Sequence, residues 1–229
     1  METGPASSAK VRKLALIRLV GGVIAIAAMF FLPAGTFRYW QAWVYMLILL
    51  VPLFIFAAYL FLRNPALLER RMRTREMEPE QRKIIALSST VLLAAFIVPG
   101  LDRRFGWSSV PTWLVLIADA MVLLSYLLFI LVLRANEYAG RTVEVEQRQR
   151  VITTGPYSLV RHPMYLAVLL MYGCSPLALG SAWAMIVVAI LPIVLVARIV
   201  NEEKVLLRDL EGYADYCKAV RYRLIPGIW

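Results

Sequence analysis

Six long apolar runs punctuate the chain, at about 14–34, 41–62, 84–101, 111–133, 164–180 and 182–200, with charged or turn-forming residues between them. A membrane-spanning helix needs roughly 20 predominantly apolar residues, so each run is a candidate span. Several contain Pro or Gly, which spans tolerate because neighbouring helices satisfy the freed backbone groups. The fifth run is short, and only Gly180-Ser181 separates it from the sixth. That spacing predicts a tight helical hairpin whose two legs need not both cross the bilayer. Past the sixth run, Leu206, Leu210 and Tyr213 recur at spacings of four and three, with Tyr216 three further on. These positions share one helical face and predict an amphipathic tail helix over 198–223 that continues the last span to the membrane surface. The pattern therefore predicts an all-α polytopic membrane protein of about six transmembrane helices. Residues 1–110 form an N-terminal three-span region, and residues 111–229 carry every candidate site group. Internal repeats and low-complexity tracts are not seen.

Composition and charge sharpen this. At 61% hydrophobic residues the chain exceeds the roughly half-apolar content of soluble domains. Lys10, Arg12 and Lys13 precede the first run, as in a signal peptide, but the run outlasts a signal core of roughly 7–15 residues and reads as an anchor. The net charge of +10 is distributed unevenly: 22 of the 25 Lys and Arg fall on one side of a six-span bundle, and Arg38, Arg103 and Arg104 on the other. This asymmetry predicts both termini in the cytoplasm. The basic excess then serves orientation and attraction to anionic membrane lipids, and nucleic acid is not an expected partner. The loop from Arg63 to Lys83, where Arg70, Arg71, Arg73 and Arg75 mix with Glu69, Glu76, Glu78 and Glu80, reads as a solvated interfacial segment. Cys174 and Cys217 fall on opposite sides, and a single His with two scattered Cys offers no metal-ligand spacing; no metal is expected. Asp119, inside the fourth run, should face the bundle interior.

The densest chemistry lies in Gly155-Pro156-Tyr157-Ser158-Leu159-Val160-Arg161-His162-Pro163-Met164-Tyr165. Gly155-Pro156 marks a turn, and Pro163 suits the first turn of a helix. A helix beginning there would aim its free N–H groups and positive dipole end at an anion beside Arg161 and His162. Asn136 and Glu137, at the end of the fourth run, read as helix-terminus residues, and Arg221 and Arg223 as topology anchors. A second block follows: Glu202-Glu203, Leu206, Gly212-Tyr213, Tyr216, Arg221-Tyr222-Arg223 and Ile225-Pro226.

Together the two blocks, within about Arg134–Trp229, resemble the isoprenylcysteine carboxyl methyltransferase family, multi-span membrane enzymes that use S-adenosylmethionine (SAM). The resemblance implies a SAM-dependent methyltransferase with a hydrophobic acceptor arriving from the bilayer. It places the cofactor at the 155–165 turn and the tail helix, against Tyr157, Arg161, His162, Pro163, Tyr165, Glu202, Glu203, Tyr213 and Tyr216. Arg161, His162 and Glu203 are the expected catalytic groups. In that setting the tyrosines supply ring faces or hydroxyls, attractive to a cation by roughly 0.5–2 kcal/mol per face. Arg161 suits a carboxylate of cofactor or acceptor, and Glu202 or Glu203 an ammonium or ribose hydroxyl. His162 is first a contact and second a base. Arg161 and Glu203 are expected at a wet interface, where alanine would weaken SAM binding without unfolding the protein. Two departures stand out: Glu211 precedes Gly212 where a phenylalanine is usual, and Arg221 replaces a common proline. Phospholipid or small-thiol methylation, an NADPH-dependent reductase of the sterol type, and a non-catalytic membrane carrier remain alternatives.

Overall fold

The computed structural model describes residues 5–63, 67–68, 79–136, 138–139, 145 and 149–229. Most of the Arg63–Lys83 loop, and Glu137, lie outside the described residues. Helices α1 (Pro5–Ala34), α2 (Trp40–Arg63), α3 (Pro79–Phe105) and α4 (Thr112–Ala135) precede a single 3₁₀ turn (Gly155–Ser158), and then come α5 (Pro163–Ala178), α6 (Trp183–Val188), α7 (Leu191–Asp209) and α8 (Tyr213–Ala219). All six apolar runs fold as helix, the sixth broken into two. Among the described residues five stretches are long and apolar enough to cross a membrane, α6 and α7 counting together as one of 27 residues. Helix α5, at 16 residues, spans about 24 Å against a hydrocarbon core of roughly 30 Å. Helices α6 and α7 part at Ala189-Ile190, where Pro192 enters the first turn of α7 with no N–H to continue the preceding ladder. The chain is an integral membrane protein.

Lipid is as apolar as leucine, so close packing rather than water exclusion holds such a bundle together. Its middle is an edge-to-face chain of rings from four helices: Phe30 of α1 meets Tyr45 of α2 at 5.8 Å and Phe96 of α3 at 5.6 Å, and Phe96 meets Tyr172 of α5 at 5.9 Å. Leu47, Ile55, Leu124 and Ile193 point outward, the surface that acyl chains cover. Asp119 is buried as expected, and neither of its carboxylate oxygens has a hydrogen-bond partner.

The two ends of the bundle differ. At one end Asp102 is buried and accepts hydrogen bonds from Ser108 N (2.7 Å), Ser108 Oγ (2.6 Å) and Ser181 Oγ (2.5 Å), tying α3 to the α5–α6 turn. The Tyr39 hydroxyl donates to Leu179 O beside it. At the other end gather the start of α3, the end of α4, the start of α5, the end of α7, α8 and the tail.

That tail corrects one expectation. The amphipathic helix over 198–223 is two helices, because Leu210 turns extended and Gly212 takes φ = 82°, a conformation that costs a side-chain-bearing residue but not glycine. The shared face survives the break: Leu210, Tyr213, Tyr216 and Val220 still form one buried cluster.

Candidate functional site

The end of the bundle that carries the tail holds a cavity between the 3₁₀ turn, α5, α7 and α8. The 3₁₀ turn brings Tyr157 down onto Asn136, the C-cap of α4, whose Nδ2 donates to the Tyr157 hydroxyl (3.0 Å). The Asn136 Oδ1 accepts from Tyr138 N, so this residue both ends a helix and builds the cavity. The Tyr216 hydroxyl donates to Tyr157 O (2.7 Å), locking α8 against the turn. Arg161 N and His162 N donate to Tyr222 O and Arg223 O, both at 2.9 Å, so the tail runs beneath the motif.

Of the residues anticipated from sequence, Tyr157, Arg161, His162, Tyr165, Glu202, Tyr213 and Tyr216 line this cavity. Pro163 opens α5 as expected and is buried, but it is not part of the lining. Glu203 is not part of it either. Residues Arg198, Glu202, Leu206 and Leu210 recur every four residues and present one stripe of α7 to the cavity. The other stripe, Leu195, Ile199 and Glu203, is buried.

Beside Arg161 and His162, where the sequence suggested the anion of a ligand, stands a carboxylate of the chain itself, Glu203. Its Oε1 lies 2.9 Å from Arg161 Nε, an ion pair in distance though off-line for a hydrogen bond, and 3.3 Å from His162 Nε2. Its Oε2 accepts from Arg223 Nε at 2.7 Å. The Arg161, His162 and Glu203 side chains are at most 7% exposed, which corrects the wet interface expected for Arg161 and Glu203. Arg223, read as a topology anchor, instead closes this buried cluster, and its guanidinium stands over the Trp229 ring.

On the cavity side, His162 and Tyr165 stack at 5.7 Å between ring centroids. The Tyr165 hydroxyl donates to Glu202 Oε2 and accepts from Arg198 Nε (2.8 Å). Arg198 escaped the sequence reading, although its position one turn before Glu202 on an amphipathic helix was a signal. Burial keeps the phenols neutral: Tyr157 is pushed up to about 12, and Tyr213 and Tyr216 are also raised, by desolvation first. Tyr213 is buried, and its hydroxyl has no hydrogen-bond partner, a state that costs free energy until a ligand satisfies it. Among the described residues no group of three or more His, Cys, Asp and Glu is placed to hold a metal.

A second, mostly apolar cavity of 470 Å³ lies between α3, α4, α5 and α7. Met164, Tyr165 and Arg198 line both cavities, so the two meet at these side chains.

Residues 113–211 match the family model described as phospholipid methyltransferase. That family and the isoprenylcysteine carboxyl methyltransferases belong to one superfamily of membrane methyltransferases. No curated protein matches the chain.

Proposed function

For a chain whose residues 113–211 match a family model of phospholipid methyltransferases, we propose that it moves a methyl group from SAM to a hydrophobic, lipid-like acceptor. The observation that carries this reading is the pair of cavities, one polar and one apolar, sharing a wall at Met164, Tyr165 and Arg198. A polar donor and a lipid acceptor need such an arrangement if they are to meet.

The polar cavity fits SAM by its donor set. Glu202 supplies a carboxylate for a cationic group, the Tyr157, Tyr213 and Tyr216 rings supply faces, and the unpartnered Tyr213 hydroxyl supplies a waiting hydrogen bond. Arg161, anchored by Glu203, and Arg150 suit the amino-acid carboxylate. SAM would contribute an electrophilic methyl group. The chain's part is positioning: methyl transfer to a nucleophile needs the reacting atoms in line and water excluded, and orientation alone can contribute several kcal/mol, up to about 7–11. The Glu203 cluster fixes His162 at the cavity wall, from which its ring would take a proton from an acceptor that arrives protonated. The acceptor chain would lie in the 470 Å³ cavity, entering from the bilayer. The charge asymmetry favours a cytoplasmic position for this end of the bundle, where SAM is available.

Calorimetric titration of SAM and of NADPH into the protein in nanodiscs tests the reading. Saturable SAM binding that weakens in Glu202→Ala is expected. NADPH binding in place of SAM would favour the reductase alternative, and binding of neither by folded protein would favour a carrier.

A further inference from the structure

The end of the bundle away from the cavities gathers a different chemistry. Arg38, Arg103 and Arg104 are the three cations that the charge asymmetry leaves there, and the fold brings them together from two separate turns. Arg103 Nη2 donates to Arg38 O at 3.2 Å. The Arg104 side chain lies along Gly35, which takes φ = 64° and whose added Cβ would stand 3.7 Å from Arg104 Nε. All three arginines are exposed, and none forms an ion pair among the described residues. Asp102, beside Arg103 in sequence, is buried and committed to Ser108 and Ser181. Helices α1 and α3 both end here, and each C-terminus contributes about half a negative charge, which offsets about one of the three cations. Gathering like charges costs Coulomb energy, so the spot is short of an anion.

The surroundings identify that anion. Phe37, Trp43 and Trp107 are exposed on the same turns. Trp43 Nε1 donates to Phe37 O at 3.0 Å, and Phe105 stacks on Trp107 at 5.6 Å with the Arg104 guanidinium carbon 5.6 Å from the Phe105 ring centre. Such rings belong at headgroup depth in a bilayer, and Leu32 and Leu47, also exposed, continue the surface toward the acyl chains. A free phosphate would meet the guanidiniums and leave the apolar rim unused; a phospholipid uses both. We propose that Arg38, Arg103 and Arg104 form a headgroup site for an anionic phospholipid of the leaflet at this end. Guanidinium forks match its phosphate oxygens, and the lipid clasps the α1–α2 turn to the end of α3, close to the tight approach of Gly100 to Phe30. The site lies at the opposite end from both cavities, and its occupancy is independent of methyl transfer.

Tryptophan fluorescence tests this locally, because Trp40, Trp43, Trp107, Trp113 and Trp183, five of the six tryptophans, lie at this end. Dioleoyl phosphatidylglycerol and dioleoyl phosphatidylcholine, each brominated on its chains to quench tryptophan, are titrated separately into the delipidated full-length protein in a non-ionic maltoside detergent. The wild type is expected to bind the anionic lipid about ten-fold or more tighter than the zwitterionic one, the worth of one charge-assisted hydrogen bond. The triple variant Arg38→Gln, Arg103→Gln, Arg104→Gln should bring that ratio near one, and the matching triple lysine variant should restore part of it, since lysine meets phosphate only as a point charge. Lys204→Gln with Lys218→Gln, which removes charge from the cavity end, should leave the ratio in place. Size-exclusion profile and melting temperature show that each variant is folded. Equal affinities in the wild type, or a preference undiminished in the triple glutamine variant or lost in the lysine-to-glutamine control, would overturn the site. Displacement of the anionic lipid by an equal concentration of glycerol 3-phosphate would overturn the lipid in favour of a free anion.

Discussion

Two adjacent glutamates illustrate what a single position decides. Glu202 and Glu203 are one residue apart, about 100° around a helix, and the packing sends them to different tasks. Glu202 faces the cavity with Tyr165, whereas Glu203 is buried against Arg161, His162 and Arg223. Removing one partner of a buried ionic cluster strands the others, at a cost of about 3–5 kcal/mol. Glu203→Ala is therefore expected to lower the melting temperature sharply, and Glu202→Ala, which strands only the Tyr165 hydroxyl, to lower it less while weakening SAM binding. Thermal unfolding in micelles, run beside calorimetry, separates the two; equal melting temperatures would contradict the division. Tyr213→Phe isolates the unpartnered hydroxyl. Its removal should leave stability intact or slightly raised and weaken SAM about two- to ten-fold, the range of one net hydrogen bond. At this scale the residue types of the site were legible from the Arg161-His162-Pro163 turn and the glutamate pair. Which glutamate faces the cavity was not, because only the inward stripe Leu195, Ile199 and Glu203 decides it. Arg198 was overlooked and Arg223 read as a topology anchor because their partners, Tyr165 and Glu203, lie 33 and 20 residues away.

At the level of elements, hydropathy was a faithful guide where a helix is long and apolar, and failed where one glycine or proline redirects the chain. The runs at 41–62 and 111–133 correspond to α2 and α4, since lipid imposes helix on any such stretch. The tail misled because periodicity reports a face, and the face persists through Gly212 although the helix does not. The contact of α1 with α3 was invisible in the sequence. A Cβ on Gly100 would stand 2.8 Å from Phe30 O and 3.0 Å from Pro33 Cβ, closer than packed atoms approach. In a helix Gly→Ala is ordinarily favourable by about 1 kcal/mol, so the sign is diagnostic. Gly100→Ala is expected to lower the melting temperature by prying α1 from α3; an increase would show that the helices separate freely.

Across the whole molecule, opposite ends do opposite work. The Asp102 knot closes one end with hydrogen bonds from Ser108 and Ser181, while the other gathers the turn, the tail and both cavities. The paired helix ends put the start of α1 and the tail at the site's end, in keeping with the charge asymmetry. In a chain whose Cys174 and Cys217 are replaced by serine, Ser109→Cys, next to the knot, should react with an impermeant maleimide in intact cells, and Lys218→Cys only after permeabilisation. The reverse pattern would invert the proposed orientation, and identical labelling would contradict the bundle itself. The most direct test of the account is transfer of tritiated methyl from SAM to an organic-solvent extract of membrane lipids, by the protein in nanodiscs. The account predicts lipid-soluble label that depends on the wild-type chain and falls strongly in Glu202→Ala. Protein that is folded and binds SAM, yet leaves every lipid, thiol and carboxylate amphiphile unlabelled, would contradict it.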